Sequence, residues 1–236
     1  MENNKKFNFR ELMAIVSTLR GEKGCPWDKA QTHESLKPYT LEEAYEVNQA
    51  VADLKATGDP SNLIEELGDL LFQILLQAQV AEDNGEFTME DVIDSISRKM
   101  IHRHPHVFGG KTYDNYEQQQ TDWERIKTEE HGQASSSPRA EFDAVPAAFP
   151  ALIRGQKITK KAGRRQLISM ETDEIFKDML TALIELMACS GRSEDSALLS
   201  SKLGALLFQI CRYSASYSLS AENSLLEALD RYIKKY

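Results

Sequence analysis

Two short stretches hold most of the chain's capacity for chemistry: Glu42-Glu43-Ala44-Tyr45-Glu46 and Glu65-Glu66-Leu67-Gly68-Asp69. Each lies in a segment whose residue pattern predicts a long helix. Residues three or four apart share a helix face. Glu43 and Glu46 therefore point one way, as do Glu66 and Asp69. Like charges at this spacing cost a helix roughly 0.2–0.5 kcal/mol per pair. If the helices lie side by side, four carboxylates converge, and a hard divalent cation is the simplest relief. An oxygen-only set favours Mg²⁺ or Mn²⁺ over zinc, which usually takes His or Cys as well. Mg²⁺ commonly bridges protein carboxylates to phosphates, so the chemistry expected is hydrolysis at phosphorus. Asp69 carries the argument furthest. It follows the stripe Asn62, Glu66, Asp69, Gln73 into an otherwise apolar helix, where an unpaired buried carboxylate is expensive.

Other readings of the same residues are plainer. Glu42 and Glu43 suit the first turn of a helix capped by Thr40, with Glu43 closing a capping box. Glu65 and Glu66 suit a solvated face. His102, His104 and His106 alternate around Pro105, which fits a helix-terminal or phosphate-adjacent role better than a metal site. Lys99 and Arg103, at i and i+4, suit either a phosphate clamp or a solvated basic face. Trp27 suits base stacking or simple packing. The basic run Lys157, Lys160, Lys161, Arg164 and Arg165 has the spacing of a solvated helix face.

The elements that must position these residues read as helices throughout, an all-α protein. One helix runs from about Asn8 to Arg20 and ends at Gly21 and Gly24, before a loop at Cys25-Pro26-Trp27-Asp28. A short helix over Ala30 to Leu36 stops at Pro38. The next runs from Thr40 to about Thr57, with Gly58 as its stop. Asp59-Pro60 opens a long helix to Asp83 whose middle, Leu67 to Leu76, is apolar almost all round and reads as buried. Thr88 begins another, ending before Pro105, followed by an irregular stretch and a polar helix over about Tyr116 to Glu130. Gly132 to Pro146 reads as a linker.

The remainder repeats this plan. Leu70-Leu71-Phe72-Gln73-Ile74 recurs as Leu206-Leu207-Phe208-Gln209-Ile210. We read tandem four-helix units: 1–131, a linker over 132–148, and 149–236. In this register Glu66 faces Lys202 and Asp69 faces Ala205. Glu42 and Glu43 face Thr181 and Ala182, and only Glu46 keeps an acid, Glu185. The second copy keeps the core pattern and lacks the acids.

Bulk properties set limits. The 236 residues are 41% hydrophobic and 28% charged, with net charge −9, as in a water-soluble globular protein. The acidity argues against a broad nucleic-acid or anionic-membrane surface. Three widely spaced cysteines suggest no disulfide framework and a reducing compartment. Met1 to Lys6 lacks a signal-peptide core, and no apolar run is long enough to span a bilayer, so a cytoplasmic location is expected.

Five blocks then fall into a familiar order: Gly24-Cys25-Pro26-Trp27-Asp28, Gln31-Thr32-His33, Glu42-Glu43-Ala44-Tyr45-Glu46, Glu66-Leu67-Gly68-Asp69 and Arg103-His104-Pro105-His106-Val107-Phe108. Together they resemble the MazG nucleoside triphosphate pyrophosphohydrolases. Residues 150–236 resemble the family's second copy in helical frame only. The resemblance implies an all-α, Mg²⁺-dependent homodimer (Mn²⁺ as an alternative ion) that cuts nucleoside triphosphates to monophosphate and pyrophosphate. It implies metal ligands Glu43, Glu46, Glu66 and Asp69, with Glu42 and Glu65 beside them to orient water or substrate. Lys99 and Arg103 match the basic pair near the phosphates. Trp27, Lys29 and His33 match the substrate-binding region, the first and last close to the base. Some two-copy members are thought to work largely through the second copy, which here lacks its ligands; the complete acid set assigns the work to the first. Two alternatives stand beside this reading: a non-catalytic nucleotide-sensing or helix-bundle interaction protein, and a pyrophosphohydrolase of a related metabolite such as phosphoribosyl-ATP.

Overall fold

The computed structural model describes residues 6–130, 137–190 and 195–236. Among these are twelve helices and no strand, the all-α class expected. None of the helices is long and apolar enough to cross a membrane. The chain divides into two compact units, Met1–Trp123 and Glu124–Tyr236.

The first unit begins with α1 (Phe9–Arg20), capped by Asn8 in a capping box with Glu11. The chain then turns tightly enough that Cys25 N–H reaches the Leu19 carbonyl at 2.7 Å. A Cβ at Gly24 would lie 2.1 Å from that carbonyl oxygen, so only glycine fits. Cys25 to Asp28, expected as a loop, instead leads into α2 (Pro26–Ala30), with Pro26 at its first turn. Proline's fixed φ and missing N–H suit that position.

A larger correction concerns α3 (His33–Thr57), which runs straight through Pro38. Its N-cap is Thr32, closing a capping box with Ser35. The expected cap, Thr40, sits inside the helix and donates its hydroxyl to the Leu36 carbonyl at 3.1 Å. Pro38 removes one amide donor, the one that would meet Glu34. Glu34 is exposed, so water can satisfy its carbonyl. Leu36, fully buried, anchors the turn before the proline to the core.

Gly58, in the left-handed region at φ 76°, stops α3 and accepts no side-chain strain in doing so. Asp59 takes the Ser61 N–H at 3.0 Å, and α4 (Ser61–Asp83) folds back along α3 as a helical hairpin. The middle of α4 is not buried all round: Leu67 and Ile74 are exposed, while Gln73, Leu75, Leu76 and Ala78 face inward. Thr88 caps α5 (Met89–Arg103) with Asp91. The stretch expected to be irregular after His104 contains a one-turn helix, α6 (Pro105–Phe108), before α7 (Tyr116–Glu130). Val16, Leu36, Leu75, Leu76, Ala78, Val80 and Met89 form the core of this unit.

In the second unit α8 (Pro138–Asp143) occupies part of the stretch expected as linker; residues 132–136 of that stretch lie outside the described ones. Glu141 of α8 pairs with Lys161 of α9 (Ala151–Arg164) and with Arg165, the cap at its end, and Lys157 lies over the Phe149 ring. Three of the five residues of the basic run therefore serve local packing. Then come α10 (Thr172–Ser190), α11 (Ser196–Ser216) and α12 (Ala221–Ile233). Burial follows the internal repeat: Leu36 and Ile175 are both fully enclosed, Leu75 matches Cys211, and Met89 behind its Thr88 cap matches Ala221 behind Ser220.

Candidate cation site on the α3–α4 pair

The hairpin of α3 and α4 brings three carboxylates together. Glu43 and Glu46 lie one turn apart on α3, and Glu66 comes from α4. Each contributes an oxygen within 4.8 Å of the others. Asp69 falls outside this set, but its charge acts on both Glu43 and Glu66. Contrary to expectation, Asp69 is exposed. The α4 turn that carries it lies on the open side of the hairpin, so its carboxylate keeps water and no burial penalty enforces a partner.

The electrostatics are those of crowded negative charge. Partial burial, then Asp69 and Glu46, hold the Glu43 carboxyl above its ordinary value; the Gln73 amide opposes this. Partial burial, then Glu46, Glu65 and Asp69, raise Glu66 likewise. The donor set fits a hard cation: oxygen atoms alone, close enough to share one ion, with no histidine or sulfur among them. Gln73 stands at the inner end of the same α4 stripe. It is buried beside Glu43, and its Oε1 has no hydrogen-bond partner.

The other residues singled out from the sequence are spread more widely. Glu65 stands next to Glu66 and Glu42 next to Glu43, both exposed. Lys99 lines a shallow cavity of about 370 Å³ with Phe87, Asp91, Val92, Ser95 and Ile96. Arg103 lies over the Trp123 ring, 5.6 Å from its centroid. Trp27 is half exposed and meets Tyr39 edge-on at 5.8 Å, and Lys29 is exposed. His33, ten residues before Glu43 and so about 15 Å along the helix axis, is held by Gln77 Oε1 at 2.5 Å and Glu86 Oε2 at 3.0 Å. These two contacts raise its pKa. His104 closes α5 through Nδ1 to the Met100 carbonyl at 2.6 Å, the helix-terminal role. His106 meets Tyr113 and Gln119 and lies 5.7 Å from the His104 ring, whereas His102 is exposed, so the three do not form one group.

Sequence reasoning passed over the Gln73 contact, the Gln77 and Glu86 clamp, and Trp123. The one available signal was Gln73 itself, a polar residue inside an apolar run that recurs as Gln209.

In the second unit the corresponding place holds an ion pair. Lys202, at the Glu66 position, meets Glu185, at the Glu46 position, at 2.8 Å. Ala182 and Ala205 replace Glu43 and Asp69.

Fold and site together define an all-α protein whose central helical hairpin carries a carboxylate cluster suited to a divalent cation. Residues 31–108 match the family model described as the MazG nucleotide pyrophosphohydrolase domain. Over 228 residues the chain is 35% identical to the nucleoside triphosphate pyrophosphohydrolase/pyrophosphatase MazG of Thermotoga maritima, covering 97% of this chain and 84% of that protein. Over 230 residues it is 35% identical to the nucleoside triphosphate pyrophosphohydrolase of Escherichia coli K12, covering 95% and 84%. It is also 36% identical over 228 residues to the uncharacterized Bacillus subtilis protein YabN, covering 97% of this chain and 45% of that longer protein. The chain belongs to the MazG family.

Proposed function

We propose that this protein is a nucleoside triphosphate pyrophosphohydrolase, releasing monophosphate and pyrophosphate, with its site in the first unit. The observation that carries the reading is the convergence of Glu43, Glu46 and Glu66, with Asp69 alongside. These four acids would hold Mg²⁺, or Mn²⁺ in its place, which when bound neutralises phosphate charge and lowers the pKa of coordinated water. Glu42 and Glu65, flanking the ligands, orient water or substrate and offer a carboxylate oxygen to the proton that the attacking water gives up. Lys99 and Arg103 supply cationic donors to the phosphate oxygens. Trp27, Lys29 and His33, near the start of α3, serve the nucleoside end. The second unit is a degenerate copy that supports the first.

Homodimer formation belongs to the same reading. Leu41, Tyr45 and Leu67 of the first unit, and Leu180, Ile184 and Leu203 at the matching places of the second, are between 47% and 58% exposed. Apolar side chains repeated along a helical hairpin suit an interface. Light scattering should give twice the 26.7 kDa chain mass; a single-chain mass removes the dimer.

The activity is tested by pyrophosphate release from a panel of nucleoside triphosphates and phosphoribosyl-ATP, with Mg²⁺ present. Turnover should fall by about 100-fold or more in Glu43→Gln and Asp69→Asn, since each removes a ligand. Tight nucleotide binding without turnover by the wild type would overturn the enzyme assignment.

A further inference from the structure

Gln73 stands at an unusual place for an amide. It lies in the apolar middle of α4, one turn beyond Asp69, and is only 6% exposed. Its side chain lies against Glu43 and favours the ionised form of that carboxyl. An ionised carboxylate can only accept, so the amide nitrogen faces Glu43. The oxygen is left, buried and without a partner. A buried acceptor with no donor costs stability, and methionine or leucine would fill similar space without that cost.

The second unit provides a control within the same chain. Gln209 is the counterpart of Gln73 in the repeated run. There the oxygen is satisfied: Gln209 Oε1 accepts from Arg212 Nη1 at 3.1 Å. Arg212, also buried, corresponds to Leu76, which has nothing to donate. The acid that Gln73 touches corresponds to Ala182. One unit thus has a protein donor for its glutamine oxygen and no acid. The other has the acid and no protein donor.

Resting on the cation reading of the cluster, we infer that Gln73 is a positioning residue for the metal. Its nitrogen fixes Glu43, and its oxygen accepts a hydrogen bond from a water that the ion carries. Hydrated Mg²⁺ or Mn²⁺ presents strongly polarised O–H donors, which the surrounding carboxylates cannot supply. Groups that orient ligands in this way commonly affect metal affinity about 10–100-fold.

The test uses the full chain with Mn²⁺ alone as probe, measured by calorimetry, together with thermal melting in the absence of metal. In Gln73→Met the metal-free melting temperature should hold or rise, because an unsatisfied buried oxygen has gone. Mn²⁺ affinity should fall about 10–100-fold. This opposition of signs is what a packing role does not produce. Gln73→Asn, polar but too short to reach Glu43, should lose affinity similarly and carries the test if Gln73→Met fails to fold. Affinities within about threefold of wild type in folded variants would overturn the inference while leaving the cation site standing. A wild type that binds no Mn²⁺ would remove both.

Discussion

Glu43 is held above its ordinary carboxyl range by partial burial and by Asp69 and Glu46, and Glu66 by partial burial with Glu46, Glu65 and Asp69. The folded chain therefore binds these protons more tightly than the unfolded chain does. Stability is then lost as pH rises from the ordinary value, 4.5, through the raised ones. A metal-free melting series across that window should show the decline, and Glu43→Gln should flatten it. At neutral pH the same variant should gain on the order of 0.5 kcal/mol, because like-charge contacts are relieved. Its turnover should collapse. An unchanged pH slope in Glu43→Gln would show that the crowding lies elsewhere. The acids were legible in the sequence because spacing alone puts them on common faces, and because the second copy lacks them. Gln73 was less so: an uncharged amide at a core position declares nothing until its neighbour is known.

At the level of elements, local chemistry predicted most helix ends well. Thr88 caps α5 and Gly58 stops α3 as their residue types demand. Pro38 shows where a local rule yields. Its missing donor affects one carbonyl at an exposed turn, while the buried Leu36 holds that turn in line. The apolar middle of α4 misled differently, since composition does not distinguish a face turned to the core from one left for another partner. What fixes the start of α3 is also long-range: His33 reaches Gln77 on α4 and Glu86 just beyond it, 44 and 53 residues away. Both contacts raise the His33 pKa. Their contribution is full below 6.5, the unfolded value, and is lost as pH rises through the raised one. His33→Gln should therefore cost more at pH 6 than at pH 8. The side chain is 38% exposed, so solvent screening keeps the difference to about 1 kcal/mol or less. Equal losses at both pH values would mean that the imidazole serves by shape rather than by charge.

Across the whole molecule, one helical plan is used twice with opposite treatment of charge. The α3–α4 hairpin brings three carboxylates together. At the matching positions the α10–α11 pair keeps one acid, Glu185, and sets Lys202 against it at 2.8 Å. That contact raises the Lys202 pKa, so the ammonium stays charged. A cation covalently fixed to α11 thus stands where, on the proposed reading, the first unit would take up a dissolved ion, and Ala182 and Ala205 offer no side-chain oxygen to a second metal. All Mn²⁺ bound by the chain should therefore belong to the first unit. Glu43→Gln combined with Glu66→Gln should abolish binding in a calorimetric titration. Lys202→Met should leave the number of bound ions unchanged. Both partners of the pair are partly exposed, so its loss should change stability little. An ion retained by the double glutamine variant, or a new one gained when Lys202 is removed, would mean that the second unit still holds a working site.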